Sequence, residues 1–184
     1  MSEVDPAVSP PEPDGGRARS RWGLFGLTAI AVVAADQATK AAIAGSLQIG
    51  ESIQVVGSLL VFIHGQNTGA LFGILGQSST VLAVVSPFVI GAIVWYQARA
   101  GGSPLIALAL GLLLGGAIGN LIDRVRYGYV LDWIDAGLGG LRFWTFNVAD
   151  AAITISIGLL LLVAAVPRLA EVGAAHTSME TGDA

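Results

Sequence analysis

Four apolar intervals, separated by charged and turn-forming residues, organise this chain. The first runs roughly from Trp22 to Ala44 and carries no charge until Asp36. The second lies between Ser79 and Ala98, with Ser86-Pro87 predicting a kink inside it. The third fills the uncharged stretch from Ala100 to Ile122, and the fourth runs from about Asn147 to Pro167. An α-helix needs about 20 apolar residues to cross a hydrocarbon core of ~30 Å, and each interval is long enough. The pattern predicts an all-α polytopic membrane protein with four transmembrane helices. Between the first two intervals the period changes. Ile53-Gln54-Val55-Val56, a Gly57-Ser58 turn and Leu59 to Ile63 predict a small β-hairpin within residues 46–66, lying on the membrane surface. The segment Val125 to Phe146, rich in aromatics and glycine, suits a structured cap or lid.

Composition narrows the class. Of 184 residues, 54% are hydrophobic and only 12% charged, against about 25% charged in a soluble domain. A net charge of −4 with no basic block argues against a nucleic-acid partner. The absence of cysteine excludes disulfides, thiol catalysis, thiolate metal sites and any lipid-modified cysteine of its own. Residues 1–21 hold four of the seven prolines, and residues 169–184 are largely polar and small. Both read as disordered cytoplasmic tails flanking one domain at 22–168.

Arg17, Arg19 and Arg21 before an apolar run could also open a cleavable signal peptide. Against that, apolar character resumes beyond Lys40, through Ala41-Ala42-Ile43-Ala44, and the Asp36/Lys40 pair would have no purpose after cleavage. Orientation follows from the basic residues. With both termini inside, Arg17, Arg19, Arg21, Arg99 and Arg168 are cytoplasmic, whereas Lys40, Arg124, Arg126 and Arg142 lie outside. Trp22 and Trp95 then fall at the inner interface and Trp133 and Trp144 at the outer one, as an aromatic belt requires.

That topology brings the polar residues together. Asp36, Thr39 and Lys40 occupy one face near the end of the first span. Asn120, Asp123 and Arg124 close the third; Asn147 and Asp150 open the fourth; Asn67 and Asp132 belong to the two outer connections. Ionisable groups beside a bilayer core cost on the order of 2.5–3.5 kcal/mol each by insertion scales. Several of them at one level point to a site at the outer leaflet. In the third span Gly111, Gly115 and Gly119 repeat the GxxxG spacing, whose usual meaning is close helix packing.

Elimination narrows the chemistry. His64 and His176 are far apart, and no HExxH or other metal spacing occurs, so no metal or cofactor is expected. His64 reads most simply as an interfacial loop residue. No serine sits in a nucleophile elbow, though a Ser/Lys pair using Lys40 stays open. Gly115 to Asn120 lies in a membrane helix and cannot be a dinucleotide loop. What remains is a pair of carboxylates. Two aspartates about 3 Å apart cannot both ionise; they share a proton, one acting as base on water and the other polarising a carbonyl. A single aspartate is more simply a helix cap or a partner of Lys40 or Arg124. The residues alone do not choose Asp132 over Asp123.

Five segments taken together resemble bacterial lipoprotein signal peptidase, or signal peptidase II. They are Asp36-Gln37-Ala38-Thr39-Lys40, Asn67-Thr68-Gly69-Ala70-Leu71-Phe72-Gly73, Gly115 to Arg124, Val130-Leu131-Asp132-Trp133 and Phe146-Asn147-Val148-Ala149-Asp150. They occur in the family's order across residues 22 to 168. Leu71 stands where a small residue is common, and Trp133 where phenylalanine is usual. The resemblance implies an intramembrane aspartic endopeptidase cutting prolipoproteins before a diacylglyceryl-modified cysteine, with membrane lipids as surroundings and no cofactor. It makes Asp132 and Asp150 the catalytic dyad. It gives Asn67, Asn120, Arg124 and Asn147 the positioning of substrate or dyad, and Asp36, Lys40 and Asp123 the support of the site. It also equates residues 46–66 with an extracytoplasmic β-cradle and Val125–Phe146 with a segment including a flexible lid. A proton-relaying transporter is the other class to weigh, but carboxylates gathered at one face and only four helices argue against it.

Overall fold

The computed structural model describes residues 15–69, 79–99, 103–138 and 141–169. Four helices are present: α1 (Gly15–Ser46), α2 (Ser79–Arg99), α3 (Pro104–Tyr127) and α4 (Val148–Ala165). Each contains a window long and apolar enough to cross a membrane, making this a multi-pass membrane protein. The expected spans hold, with one correction at the start. Gly15 to Arg21, expected in a disordered tail, are the opening turns of α1. Residues 1–14 and 170–184, the remainder of the expected tails, lie outside the described residues.

The helix ends have local causes. Pro104 begins α3, where its missing N–H costs nothing. Gly128 ends it at φ 78°, a left-handed conformation that a side chain would strain, with its N–H bonded to the Arg124 carbonyl. Pro87 lies inside α2, and the neighbouring Ser86 Oγ donates to the Leu82 carbonyl at 2.7 Å.

Helix α3 is the hub. Its backbone approaches α1, α2 and α4, whereas α2 approaches α3 alone among the described residues. Glycine makes this possible. A Cβ on Gly111 would fall 2.7 Å from the Phe25 carbonyl oxygen, and one on Gly115 2.8 Å from that of Ala29. On another face, a Cβ on Gly116 would sit 2.5 Å from the Ala149 carbonyl oxygen of α4. The glycine spacing therefore serves packing on two sides. Phe25, Ala29, Ile93, Ala107, Leu110 and Leu114 form the core between these helices. Ser156 Oγ, fully buried, donates to the Ala109 carbonyl at 2.6 Å and ties α4 to α3 where no water competes.

The β-structure is larger than a hairpin. Strands β1 (Ser52–Val56), β2 (Leu60–Asn67), β3 (Val130–Leu138) and β4 (Leu141–Arg142) form one antiparallel series in chain order. The β1–β2 hairpin is the one expected from the two apolar runs flanking Gly57-Ser58. Val130 to Leu138, within the segment expected to form a structured cap or lid, pairs with β2: Asn67 faces Val130 and Gly65 faces Asp132. A β-bulge between Phe62 and Gly65 shifts the register. His64 corrects another expectation. It is buried, and its Nδ1 lies 2.9 Å from the Leu47 carbonyl just past α1, so the ring nitrogen donates to an otherwise orphaned carbonyl. Beneath the sheet Ile43, Leu47 and Leu131 pack with Phe62, Tyr129 and Trp133.

Candidate active site

The sheet meets the bundle where α1 and α3 end and α4 begins, and the predicted polar residues converge there. Asp36, Lys40, Asn120, Asp123, Asp132 and Asn147 are all buried. Asp36 and Lys40, four residues apart on α1, face α3. The Lys40 ammonium bridges Asp36 Oδ2 at 2.8 Å and Asp123 Oδ2 at 2.9 Å. Its third contact donates to Asn120 Oδ1 at 3.2 Å. Gln37, which sequence reasoning had not singled out, donates to Asp123 Oδ1 at 3.0 Å and to Asp36 Oδ2 at 3.2 Å. Asp36 also accepts the Ala149 N–H at 3.0 Å, and Asp123 the Leu131 N–H at 3.0 Å. These two aspartates thus stitch α1, α3, α4 and β3 together.

Asp132 and Asp150 are held differently. Asp132 Oδ2 accepts from Asn67 Nδ2 at 2.9 Å, and its Oδ1 from Asn147 Nδ2 at 2.7 Å. Asp150 Oδ1 accepts from Asn120 Nδ2 at 2.8 Å, and its Oδ2 from the Asn147 backbone N–H at 3.2 Å. Among the described residues neither makes an ion pair. Burial, with the charge of Asp150 next in weight, raises the Asp132 pKa to about 6, against the opposing bonds from Asn67 and Asn147 and the charge of Lys40.

Both asparagine orientations follow from their neighbours. An ammonium only donates, so the atom of Asn120 facing Lys40 is its oxygen, and the amide nitrogen turns to Asp150. Asn147 is the N-cap of α4, where its Oδ1 accepts the Asp150 N–H at 2.9 Å while Asp150 bonds back to complete a capping box. That leaves Asn147 Nδ2 for Asp132 and, at 3.2 Å, for Asn120 Oδ1. One helix cap therefore aims both carboxylates. Arg124 is half-buried; Nη1 donates to the Asn120 carbonyl at 3.3 Å, and Nε is buried without a partner among the described residues.

Every predicted site residue is thus at this end of the bundle; residues 70–73 of the second motif lie outside the described residues. No group of three or more His, Cys, Asp or Glu among the described residues has metal-holding geometry. The family model described as Signal peptidase (SPase) II matches residues 28–166. The chain belongs to the signal peptidase II family. Among its members, a lipoprotein signal peptidase of Shouchella clausii is 42% identical over 137 residues, 74% of this chain and 89% of that one. That of Bacillus subtilis is 34% identical over 140 residues, covering 76% and 91%. A bacterial membrane enzyme structure solved by the in meso method at 2.3 Å shares the fold, with a TM-score of 0.72 and 35% identity over 77% of this chain and 87% of that one. Membership makes this chain a peptidase, in keeping with a site built around carboxylates.

Proposed function

We propose that this chain is an intramembrane aspartic endopeptidase that removes signal peptides from diacylglyceryl-modified prolipoproteins, cutting before the lipidated cysteine. Family membership supports the substrate class, since its relatives carry the name lipoprotein signal peptidase. The observation that carries the mechanism is the amide-only setting of Asp132 and Asp150. Held by amides and without an ion pair of its own, the pair can hold one proton between its members. The ionised member takes a proton from water as that water attacks the scissile carbonyl. The protonated member donates to the developing oxyanion, and Arg124 offers a further N–H. Asn67, Asn120 and Asn147 orient the dyad; Asp36, Lys40 and Asp123 hold the helices on which it is mounted. No metal or cofactor takes part.

We place the site at the outer leaflet, with both termini cytoplasmic, on the distribution of arginines and tryptophans. The β-sheet then lies outside as a cradle. Leu138, Leu141, Phe143 and Trp144 at its free end are exposed, which suits the cover of a site entered by lipid-modified peptide. Acyl chains contribute about 0.8 kcal/mol per buried CH₂, so the diacylglyceryl group can anchor substrates of varied sequence. The test is direct: purified protein with a diacylglyceryl-modified prolipoprotein should yield free signal peptide, in the presence of strong chelator, while the unmodified precursor is spared. Loss of cleavage in chelator with rescue by zinc would overturn the aspartic mechanism.

A further inference from the structure

The two ends of the bundle differ in charge. Among the described residues every aspartate and glutamate lies at the dyad end or in the sheet and its flanking turns. The remote end, where α2 and α4 finish and α3 begins, carries Arg99 on the last turn of α2 and Arg168 just past α4. Both are exposed, and the Arg99 guanidinium lies 5.0 Å from the centre of the Trp95 ring. The start of α3 adds donors at the same end. Ser103 is its N-cap, yet the side chain makes no capping bond. The residue is only 6% exposed, and its Oγ has no partner among the described residues. Pro104 brings no N–H, and the first-turn N–H groups of Leu105 and Ile106 have no acceptor within the helix. A helix start of this kind favours a phosphate.

An apolar groove of about 500 Å³ runs in from this end between α2 and α4, with α3 as its floor. Tyr96, Ile106 and Ala164 line it on the terminal turns of the three helices, and Ala92 and Leu160 deeper in. No charged residue lines it. On α3 it stops at Leu113, about 10 Å short of Asn120 at the rise of an α-helix, so it is a place apart from the dyad. Its walls do not meet: among the described residues the backbones of α2 and α4 each approach α3 but not one another.

We propose that this end binds one anionic phospholipid, its acyl chain in the groove and its phosphate held by Arg99, Arg168 and the start of α3. The site is independent of the reaction at the dyad and of which leaflet the end faces. Charge decides the occupant. Basic pockets between transmembrane helices hold anionic headgroups, and guanidinium forks match phosphate oxygens. The basic leading residues of a signal peptide, or a second copy of this end, would instead bring like charge to the same two arginines. Form agrees with charge, since an acyl chain is thin and conformable enough to follow a slot between helices. The lipid also supplies the contact between α2 and α4 that the protein itself lacks, and so fastens α2, which approaches α3 alone among the described residues.

Native mass spectrometry of the full-length chain, released from micelles containing phosphatidylglycerol and phosphatidylcholine, reads the site directly. One phosphatidylglycerol per chain should be retained in preference to phosphatidylcholine. Glycerophosphoglycerol, the same headgroup without acyl chains, should not displace it. Replacing both arginines, Arg99→Gln with Arg168→Gln, should weaken retention about thirtyfold. Arg126→Gln, which removes an exposed arginine at the dyad end, should leave it unchanged. Ala92→Trp should fill the groove and abolish retention, with Val163→Trp taking its place should the first variant not fold. Added phosphatidylglycerol should raise the thermal midpoint of the unmodified chain but not that of the double arginine variant. Equal retention of phosphatidylcholine, an equal loss in Arg126→Gln, displacement by glycerophosphoglycerol, or undiminished lipid in a folded tryptophan variant each overturns the site. So does a dimer free of lipid, which would give the groove to a second copy of the chain.

Discussion

Four aspartates meet at one end of the bundle, yet they form two unlike pairs. Asp36 and Asp123 share the Lys40 ammonium, at 2.8 and 2.9 Å. Asp132 and Asp150 have only neutral amides, from Asn67, Asn120, Asn147 and the α4 backbone. A carboxylate ion-paired with a buried lysine and bonded to a neighbouring backbone N–H serves as a fixed strut. A carboxylate held by amides alone, next to another of its kind, keeps a proton within reach near neutral pH. Identical side chains a few ångströms apart are divided between architecture and chemistry by where one lysine sits.

The largest effect expected from this contrast is on the amide-held pair. Asp132→Asn and Asp150→Asn each keep size and hydrogen-bonding capacity but cannot exchange a proton. Each should lower cleavage by at least the 10²–10⁴-fold typical of general acid–base participation, with membrane abundance preserved. Because the pair acts as a unit, the double variant should be barely worse than either single one. Asp123→Asn, in the other pair, should lose abundance or thermal stability and retain residual turnover. A folded, inactive Asp123→Asn beside an active Asp132→Asn would reverse the two roles.

Next in size is the lysine. Lys40→Met leaves two buried carboxylates without their cation, and breaking a buried pair costs about 3–5 kcal/mol. Thermal unfolding in detergent should show that loss, and Lys40→Arg should recover part of it. Cleavage should fall too, since Asn120 Oδ1 loses one of its two donors and its amide is held less firmly toward Asp150. Lys40→Met at wild-type stability would mean that the strut pair is not held by charge.

The division of the aspartates was the part of the site least legible in the sequence. Hydropathy located the spans because uncharged intervals of this length have few other meanings, and topology then gathered every polar cluster at one end. The β1–β2 hairpin was legible because its turn and the two apolar runs beside it are local. β3 was not, since Val130 to Leu138 pairs with residues more than sixty positions earlier, and its aspartates and glycine blur the alternation. Which carboxylate Lys40 neutralises depends on how α1 lies against α3, and motif spacing holds no record of that. Gln37 went unremarked for the same reason: an amide inside a motif gives no sign that it bridges two helices. His64 looked like a surface residue because only the folded chain brings it beneath the end of α1.

Smaller in effect is a steric test. A Cβ on Gly119 would meet Asp36 Oδ2 at 2.7 Å, and Asp36 is pinned by Lys40, Gln37 and the Ala149 N–H. Gly119→Ala should cost about 1–3 kcal/mol by overpacking and reduce kcat modestly, by displacing α4 without touching the dyad. Loss of kcat with no loss of stability would contradict that account.

The finest test is of pH. With the Asp132 pKa raised to about 6, the shared proton is retained below that value and lost above it. For the free enzyme, kcat/KM should fall as pH rises through about 6, approaching tenfold per unit, with the apparent value belonging to the pair. The Asn67 bond lowers the Asp132 pKa. Asn67→Ala should therefore move this alkaline limb to higher pH. A limb unchanged by Asn67→Ala would mean that another group sets it.

Asn147 caps the start of α4 by receiving the Asp150 N–H, steers its own amide to Asp132 and donates to Asn120 Oδ1. Three duties on one side chain leave natural variation almost no room there. Serine or threonine would cap the helix but has no amide to reach the second carboxylate; glutamine has the amide but the wrong length to cap; aspartate caps well and adds a third negative charge. An inhibitor whose affinity depends on contact with Asn147 would therefore confront its target with a choice between susceptibility and inactivity. One that leans on the apolar tip at Leu141 or Phe143, where several side chains serve equally, would be evaded by single substitutions.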